Sequence, residues 1–432
     1  MIRIIDLRAG KDSDIFEKLA SRSQMEYGDV LRRVEDIVNN VRQKGDKAVI
    51  EYTSMFDKVE LTSDKLKVSV DEIEEAYKKV DSKLVEVIRK ARENIEKFHS
   101  KQKEKSWFST EEDGVILGQL YNPLEIVGVY VPGGTASYPS SVLMNVIPAR
   151  VAGVSRVIMA TPPGRDGKVN PSILVAAKEA GVDEIYKMGG AQAIAALAFG
   201  TGTVPKVDKI VGPGNIYVAM AKRTVYGYCD IDMIAGPSEI MVVADDSANP
   251  RFVAADLLSQ AEHDVLASSI LVTTSEKIAK DVQREVDQQV EALPRREMAQ
   301  KSIEDFGAAV IVESMEKAVE IVNRIAPEHL ELCVEEPFGL LSCIRNAGAI
   351  FLGNYSSEPL GDYFAGPNHV LPTSGTARFF SPLNLSDFVK KSSIISYSKK
   401  ALGKVKDDVI LFAESEGLSG HANAIRVRFE EE

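Results

Sequence analysis

A chain of 432 residues is longer than one hydrophobic core usually organises, about 250 to 300 residues, so at least two domains are expected. With 44% hydrophobic and 27% charged residues it has the makeup of a folded globular protein, which excludes disordered, collagenous and coiled-coil classes. The net charge of −12 repels a phosphate backbone and sets nucleic acid aside as a partner. Cys229, Cys333 and Cys343 are odd in number and lack CxxC spacing, so they read as inert buried thiols in a reducing cytoplasm. Charges at Arg3, Asp6 and Arg8 leave no room for the apolar core of a signal peptide, and no apolar run approaches membrane-spanning length.

In chain order, Ser69-Val-Asp-Glu72 has the form of a capping box. Leu84, Val87, Ile88, Ala91, Ile95 and Phe98 follow at helical spacing, which predicts a helix with one buried face. The lysine-rich segment 97–105 reads as a solvated face and Trp107 as a packing anchor. From about residue 125 the texture changes: β-branched runs at 125–131, 157–161, 184–188 and 208–211 predict buried parallel strands with helices between them. Asn170 as N-cap, Pro171 at the first helical position and Gly181 past the end punctuate one such helix. Three of the strands run into glycine, at Gly133-Gly134, Gly189-Gly190 and Gly212-Pro213-Gly214-Asn215. Ligands of open α/β sheets bind outside the carboxyl ends of the strands, where glycine lets backbone N–H groups approach a phosphate. A nucleotide site and ordinary turn glycines are both open readings, because the third glycine of the dinucleotide fingerprint is missing.

A second alternating series follows, with strands at 239–244, 269–273, 308–312, 329–334 and 349–352 and helices at 250–260, 276–293 and 315–325. The expected fold class is α/β: two incomplete Rossmann-like domains with parallel sheets, plus small N-terminal and C-terminal helical pieces. Similar build suggests duplication, although no sequence repeat accompanies it. A stretch rich in glycine and proline, 361–382, leads to a short C-terminal piece whose last clear helix ends near Gly417.

Four of the five histidines lie in the second half, each beside a carboxylate, an amide or glycines: His263, His329, His369 and His421. His99 has no such neighbourhood and reads as a surface or satisfied core residue. Gln260 and His263 are three apart near a helix end, so both project from one face and can grip one ion. Asp362 and His421 are available to complete four N and O donors for zinc, although no HExxH or paired CxxC is present, so spacing leaves the assignment open.

Eight segments together resemble histidinol dehydrogenase: GVYVPGG (128–134), GGAQAIAALAFGT (189–201), VGPGN (211–215), AGPSEI (235–240), DLLSQAEHD (256–264), APEHLE (326–331), GDYFAGPNHVLPT (361–373) and GLSGH (417–421). The likeness runs from about residue 20 to the end. By position it implies zinc ligands at Gln260, His263, Asp362 and His421, with one zinc per subunit, and an acid-base pair at Glu328 and His329. It implies NAD contacts at Tyr130, Gln192 and Asn215. Substrate contacts are implied at Ser238, His369 and Glu416, together with Gln260, His263, His329, Asp362 and His421. The family's activity implies oxidation of L-histidinol through the aldehyde to L-histidine with two NAD and one water, the last step of histidine biosynthesis. The resemblance also implies an intertwined homodimer with shared active sites, and a division into 1–28 (N-terminal segment), 29–124 with 237–380 (zinc, substrate and catalysis), 125–236 (NAD) and 381–432 (tail).

These residue types suit that chemistry. Hydride leaves a carbinol carbon only as its hydroxyl loses a proton, and a neutral imidazole such as His329 has the right pKa for that near pH 7. Oxidising the aldehyde needs water, whose proton the adjacent Glu328 carboxylate can take. Three other readings compete: a zinc- and NAD-dependent dehydrogenase of another polar alcohol such as a hydroxy-sulfonate, a metal-binding scaffold that has lost catalysis, and a zinc hydrolase.

Overall fold

The computed structural model describes residues 2–9, 15–22, 28–133 and 138–430; Gly134 of the first glycine pair lies outside the described residues. They form two compact units, the first comprising Met1–Gln102 with Leu124–Phe388 and the second Lys103–Pro123 with Val389–Glu432. The first unit carries the two expected parallel sheets.

One sheet has five parallel strands in the order Glu184–Lys187, Arg156–Thr161, Ile126–Tyr130, Lys209–Val211 and Asp230–Ile231. The first strand in sequence lies at the centre, so successive connections run to one side and then to the other. That reversal makes a crevice at the carboxyl ends of Ile126–Tyr130 and Lys209–Val211, the two strands that lead to Gly133 and Gly212. The helix Pro171–Ala180 forms as its punctuation predicts: Asn170 accepts the Ser172 N–H at 2.9 Å, and Gly181 closes the end at φ 87°.

The other sheet has six parallel strands in the order Arg3–Asp6, Gly307–Ile311, Ser268–Thr273, Glu239–Ala244, His329–Cys333 and Ala349–Leu352. Both faces are covered, and alternate residues serve opposite faces. Ile240, Val242, Leu271 and Ala309 pack with the helix Pro250–Ala261, whereas Met241, Val243, Ile270 and Val310 pack with Met315–Ile325. The N-terminal piece is not purely helical as expected. Arg3–Asp6 is an edge strand whose partner lies some three hundred residues away, and four residues with charges at both ends carry no strand pattern of their own.

Residues 28–100, grouped by the sequence reading with 237–380, form the helices Gly28–Lys44, Asp46–Asp57, Val70–Lys79 and Ser82–Ser100. These pack on the helices of the five-stranded sheet. Ser69 and Glu72 form the predicted capping box. The single helical stripe is corrected, since the chain breaks at Val80 and Asp81, and the buried stripe is Val85, Ile88, Ala91 and Ile95. Leu84 and Val87 are thereby turned into solvent. His99 is a buried core residue with Nδ1 2.8 Å from Gln102 Oε1, while its Nε2 finds no partner among the described residues. Cys229 and Cys333 are buried, and burial pushes the Cys229 thiol up to about 12, but Cys343 is exposed, contrary to expectation.

The second unit holds an antiparallel sheet of Val389–Ser396, Ile116–Pro123 and Trp107–Thr110, on which the half-exposed Trp107 lies. This sheet was not expected, and with the strand Val389–Ser396 the C-terminal piece is not helical alone. The helix Lys399–Ser415 ends near Gly417 as expected, and a further helix, Ser419–Arg426, follows it.

A charge cluster ties the outer strands of the five-stranded sheet. Glu184 Oε2 accepts from Lys67 Nζ at 2.9 Å and from the Tyr186 hydroxyl at 2.7 Å, while Oε1 accepts from Arg156 Nε at 2.8 Å. Burial pushes this carboxyl up, but the three donors outweigh it and hold it down at about 2. Its folded pKa thus lies below the unfolded value. The stabilisation is complete above about pH 4.5 and fades as the pH falls toward 2. Melting curves of Glu184→Gln and the parent should differ most at pH 6 to 7 and converge only as the pH falls from about 4.5 toward 2; a gap independent of pH would remove the ionic part of this account.

Candidate active site

The catalytic candidates gather at the amino edge of the six-stranded sheet. Helix Met315–Ile325 ends at Ala326 in the left-handed region, φ 55°, and Pro327 leads directly into Glu328 and the strand beginning at His329. Both side chains are buried. The backbone of one neighbouring residue holds both: the Glu239 N–H donates to Glu328 Oε2 at 2.8 Å, and the Glu239 carbonyl lies 3.0 Å from His329 Nδ1. A carbonyl only accepts, so Nδ1 carries the proton and the lone pair of the neutral ring is on Nε2. Nε2 has no hydrogen-bond partner within 3.5 Å, and Asp362 Oδ1 is its nearest ionic neighbour, at 3.7 Å.

Burial pushes the Glu328 carboxyl up to about 8 despite the Glu239 N–H and the nearby imidazole. Burial also depresses His329, but the charges of Glu328 and Asp362 overcome it and raise the imidazole to about 10. Asp362 is lowered, because its contact with His329 and the charges of His369, His329 and His263 outweigh its own burial.

Around this pair the first unit assembles most of the expected residues. Gln260, fully buried at the end of Pro250–Ala261, places its amide Nε2 2.9 Å from His263 Nδ1, and its Oε1 is buried with no partner. His263 and Asp362 lie within each other's field. His369 Nδ1 is 3.0 Å from the Asp362 carbonyl, and its Nε2 is 3.4 Å from Ser141 Oγ on the helix Pro139–Ala152. That helix follows the central strand of the other sheet, so the carboxyl side of one sheet meets the amino edge of the other. Ser238 immediately precedes Glu239 on the same edge, its carbonyl accepting the Ser268 N–H at 3.0 Å. His329, Asp362 and His369 line one cavity of about 630 Å³. Glu416 and His421 belong to the second unit, where both are exposed.

Glu358 was not foreseen. It is buried, accepts from Ser259 Oγ at 3.0 Å, and offers an oxygen within 4.8 Å of ligand atoms of His329 and Asp362, the only such group of three among the described residues. Its sequence context, Ser357-Glu358-Pro359, reads only as a helix start.

The residues assigned to the nucleotide sit at the carboxyl side of the five-stranded sheet. The Gly190 N–H donates to the buried Tyr130 hydroxyl at 3.1 Å, and Gln192 is buried with Oε1 lacking a partner. Asn215 Oδ1 caps the helix Ile216–Val225 through Tyr217 N and Val218 N, at 3.1 and 3.2 Å, which leaves only its amide N–H groups for a ligand. Gly212 needs its glycine: at φ 114° an added Cβ would lie 2.1 Å from the Tyr130 carbonyl oxygen. A buried Lys222–Asp232 ion pair grips the backbone of the same glycine, Asp232 accepting the Gly212 N–H at 2.8 Å and Lys222 donating to its carbonyl at 3.0 Å.

The sequence profile described as histidinol dehydrogenase matches residues 20–429. The chain belongs to the histidinol dehydrogenase family. It is 59% identical over 429 residues to the histidinol dehydrogenase of Caldanaerobacter subterraneus and 58% identical over 429 residues to that of Clostridium acetobutylicum, covering 99% of both chains in each comparison. Its structure is similar to the crystal structure of histidinol dehydrogenase from Elizabethkingia anophelis, with a TM-score of 0.93 and 40% identity over 99% of this chain and 98% of that one. It is therefore an oxidoreductase of that family. No helix among the described residues is long and apolar enough to cross a membrane.

The pair depends on a close approach behind it. The Gly348 N–H donates to the Pro327 carbonyl at 2.9 Å, and a Cβ on Gly348 would lie 2.5 Å from the Glu328 carbonyl oxygen. Gly348→Ala should cost about 1–3 kcal/mol through overpacking. It should also lower turnover at least about tenfold, a displacement effect on a positioned acid-base pair. Calorimetry and steady-state kinetics on the folded variant check this, and unchanged turnover would show that the backbone yields without moving Glu328.

Proposed function

We propose that this chain oxidises L-histidinol through L-histidinal to L-histidine with two NAD and one water, as the last step of histidine biosynthesis, in the cytoplasm and as a homodimer with shared sites. The observation that carries the reading is the Glu239 backbone, which fixes the His329 tautomer and holds Glu328 beside it.

The donor set fits zinc. Gln260 Oε1 is an orphaned buried oxygen, His263 adjoins it, and Asp362 is held ionised, so the first unit supplies two oxygens and one nitrogen; His421 would be the fourth donor. Bound there, zinc would orient the substrate's imidazole and amine and offset the carboxylate charge that raises His329. NAD would accept the hydrides, with Tyr130, Gln192 and Asn215 holding it.

His329 Nε2 takes the alcohol proton as hydride departs, because Nδ1 is committed to the Glu239 carbonyl. Glu328 takes a proton from water as it adds to the aldehyde, and His329 serves again in the second oxidation. Ser238, His369 and Glu416 would contact the substrate, the Glu416 carboxylate beside its amine. A hydroxy-sulfonate fits poorly, since Asp362 lines the cavity with Glu328 and Glu358 close by, and the cavity has no lysine or arginine in its lining.

Histidinol-dependent NADH absorbance at 340 nm should vanish with a chelator and return with zinc, and His421→Asn should lower metal content. His329→Ala should cut turnover at least about 100-fold while zinc remains bound. Full activity in demonstrably metal-free protein would sink the zinc assignment.

The dimer has its own support. In the second unit the only buried hydrophobic residues among those described are Ala401, Ala413 and Ala422, whereas Ile395, Leu411 and Phe412 are about 70% exposed. If a partner's tail supplies Glu416 and His421, mixing an inactive Glu416→Ala/His421→Ala protein with inactive His329→Ala protein should restore activity through hybrid dimers. No recovery despite proven subunit exchange would place each site within one chain.

A further inference from the structure

Helix Asp46–Asp57 ends on an acid that the mechanism above does not use. Asp57 lines a cavity of about 710 Å³ together with Gly133 and Pro162, residues that follow the carboxyl ends of Ile126–Tyr130 and Arg156–Thr161. Those two strands are neighbours in the middle of the five-stranded sheet, where an open α/β sheet holds the adenosine half of a dinucleotide.

Such a site needs a carboxylate to read the adenine ribose, and it ordinarily comes from the end of the second strand. Here that strand runs into Thr161-Pro162-Pro163-Gly164-Arg165-Asp166, whose one acid, Asp166, is exposed at the cavity's edge and already accepts the Lys168 N–H at 3.1 Å, whereas Asp57 keeps a buried oxygen free. The chain after Asp57 turns sharply at Lys58, φ 60°, and the Val59 side chain then comes within 3.5 Å of where a Cβ on Gly167 would stand. Asp57 is thus delivered from outside the sheet to the loop that follows its second strand. Its Oδ2 is buried with no hydrogen-bond partner, a costly state that hydroxyl donors relieve. Burial raises its carboxyl to about 6, and its charge reaches Tyr130, the residue aligned with the family's nucleotide contacts.

The basic groups around the cavity do not make an equivalent phosphate site. Lys79 and Lys168 both pair with Glu75, at 2.7 and 3.3 Å, and Lys187 pairs with Glu72 at 2.9 Å; Arg165 is an exposed member of the lining.

We propose that Asp57 selects NAD over NADP, its carboxylate accepting hydrogen bonds from the adenine ribose hydroxyls and repelling a 2′-phosphate. This rests on the reading of the glycine-ended sheet as the NAD site. Kinetics with NAD and NADP in the zinc-loaded enzyme, and NADH and NADPH binding by fluorescence, should be compared for the parent, Asp57→Asn and Asp57→Ser. The parent should prefer NAD strongly. Asp57→Asn, near-isosteric and free of a buried charge, should keep its melting temperature, raise KM for NAD about tenfold, leave KM for histidinol unchanged, and shrink the NAD/NADP ratio of kcat/KM at least about tenfold. Asp57→Ser should shift the ratio the same way. An unchanged ratio in both variants while NADH still binds overturns the role of Asp57 alone. A parent that uses NADP as well as NAD also overturns it and points to Arg165. A parent that binds neither NADH nor NADPH, while Asp57→Asn folds normally, overturns the sheet assignment itself.

Discussion

The candidate site hangs on the backbone of a single residue. Glu239 opens a central strand of the six-stranded sheet, and it gives its N–H to Glu328 and its carbonyl to His329, the two residues at the start of the adjacent strand. The adjacent strands are parallel and in fixed register, His329 opposite Ile240, so the ladder holds the Glu239 backbone beside both residues, and a side chain that rotates away loses its bond to Glu239. The bond to Nδ1 leaves Nε2 as the basic atom, and the surrounding carboxylates decide how basic it is. The charges of Glu328, Asp362 and Glu358 raise the imidazole, so in the proposed mechanism a cation at Asp362 would also bring His329 back toward a useful base.

The placement of the site follows from how the two sheets meet. Glu328 and His329 lie at an amino edge, away from the carboxyl ends where open α/β sheets usually bind ligands. The other sheet turns its carboxyl side toward the same region: Ser141 reaches His369, and Asn368 Nδ2 donates to the Met144 carbonyl at 2.7 Å. A cofactor on one sheet and a substrate on the other can thus face each other without either sheet binding both.

How much of this the sequence disclosed depended on the range of the interaction concerned. Strands buried on both faces, such as Glu239–Ala244, and helices with a capping box or Asn-Pro start were legible because the signal is local. Arg3–Asp6 and the antiparallel sheet of the second unit were not, since each strand is short or half-exposed and gains its identity from a distant partner. Gln260 and His263 were readable from their spacing, and the pairing of Glu328 with His329 from adjacency and resemblance. The carboxylate of Glu358 and the organising role of the Glu239 backbone were hidden, because burial and main-chain geometry leave no residue-type signature.

Two deficits in the single chain are related. In the proposed zinc site the first unit would supply three donors, and the fourth, His421, is exposed on a helix of the other unit. That second unit buries only alanines among its described hydrophobic residues, too little to hold a sheet and two helices by itself, while it exposes Ile395, Leu411 and Phe412. Under the proposed reading, a tail with so little apolar burial of its own and a zinc site that needs a residue of that tail would make assembly and catalysis one requirement. In the proposed dimer, the apolar surface that joins two copies also delivers the residue that completes each site, so a chain that has not found its partner would hold neither a stable tail nor a full set of zinc ligands.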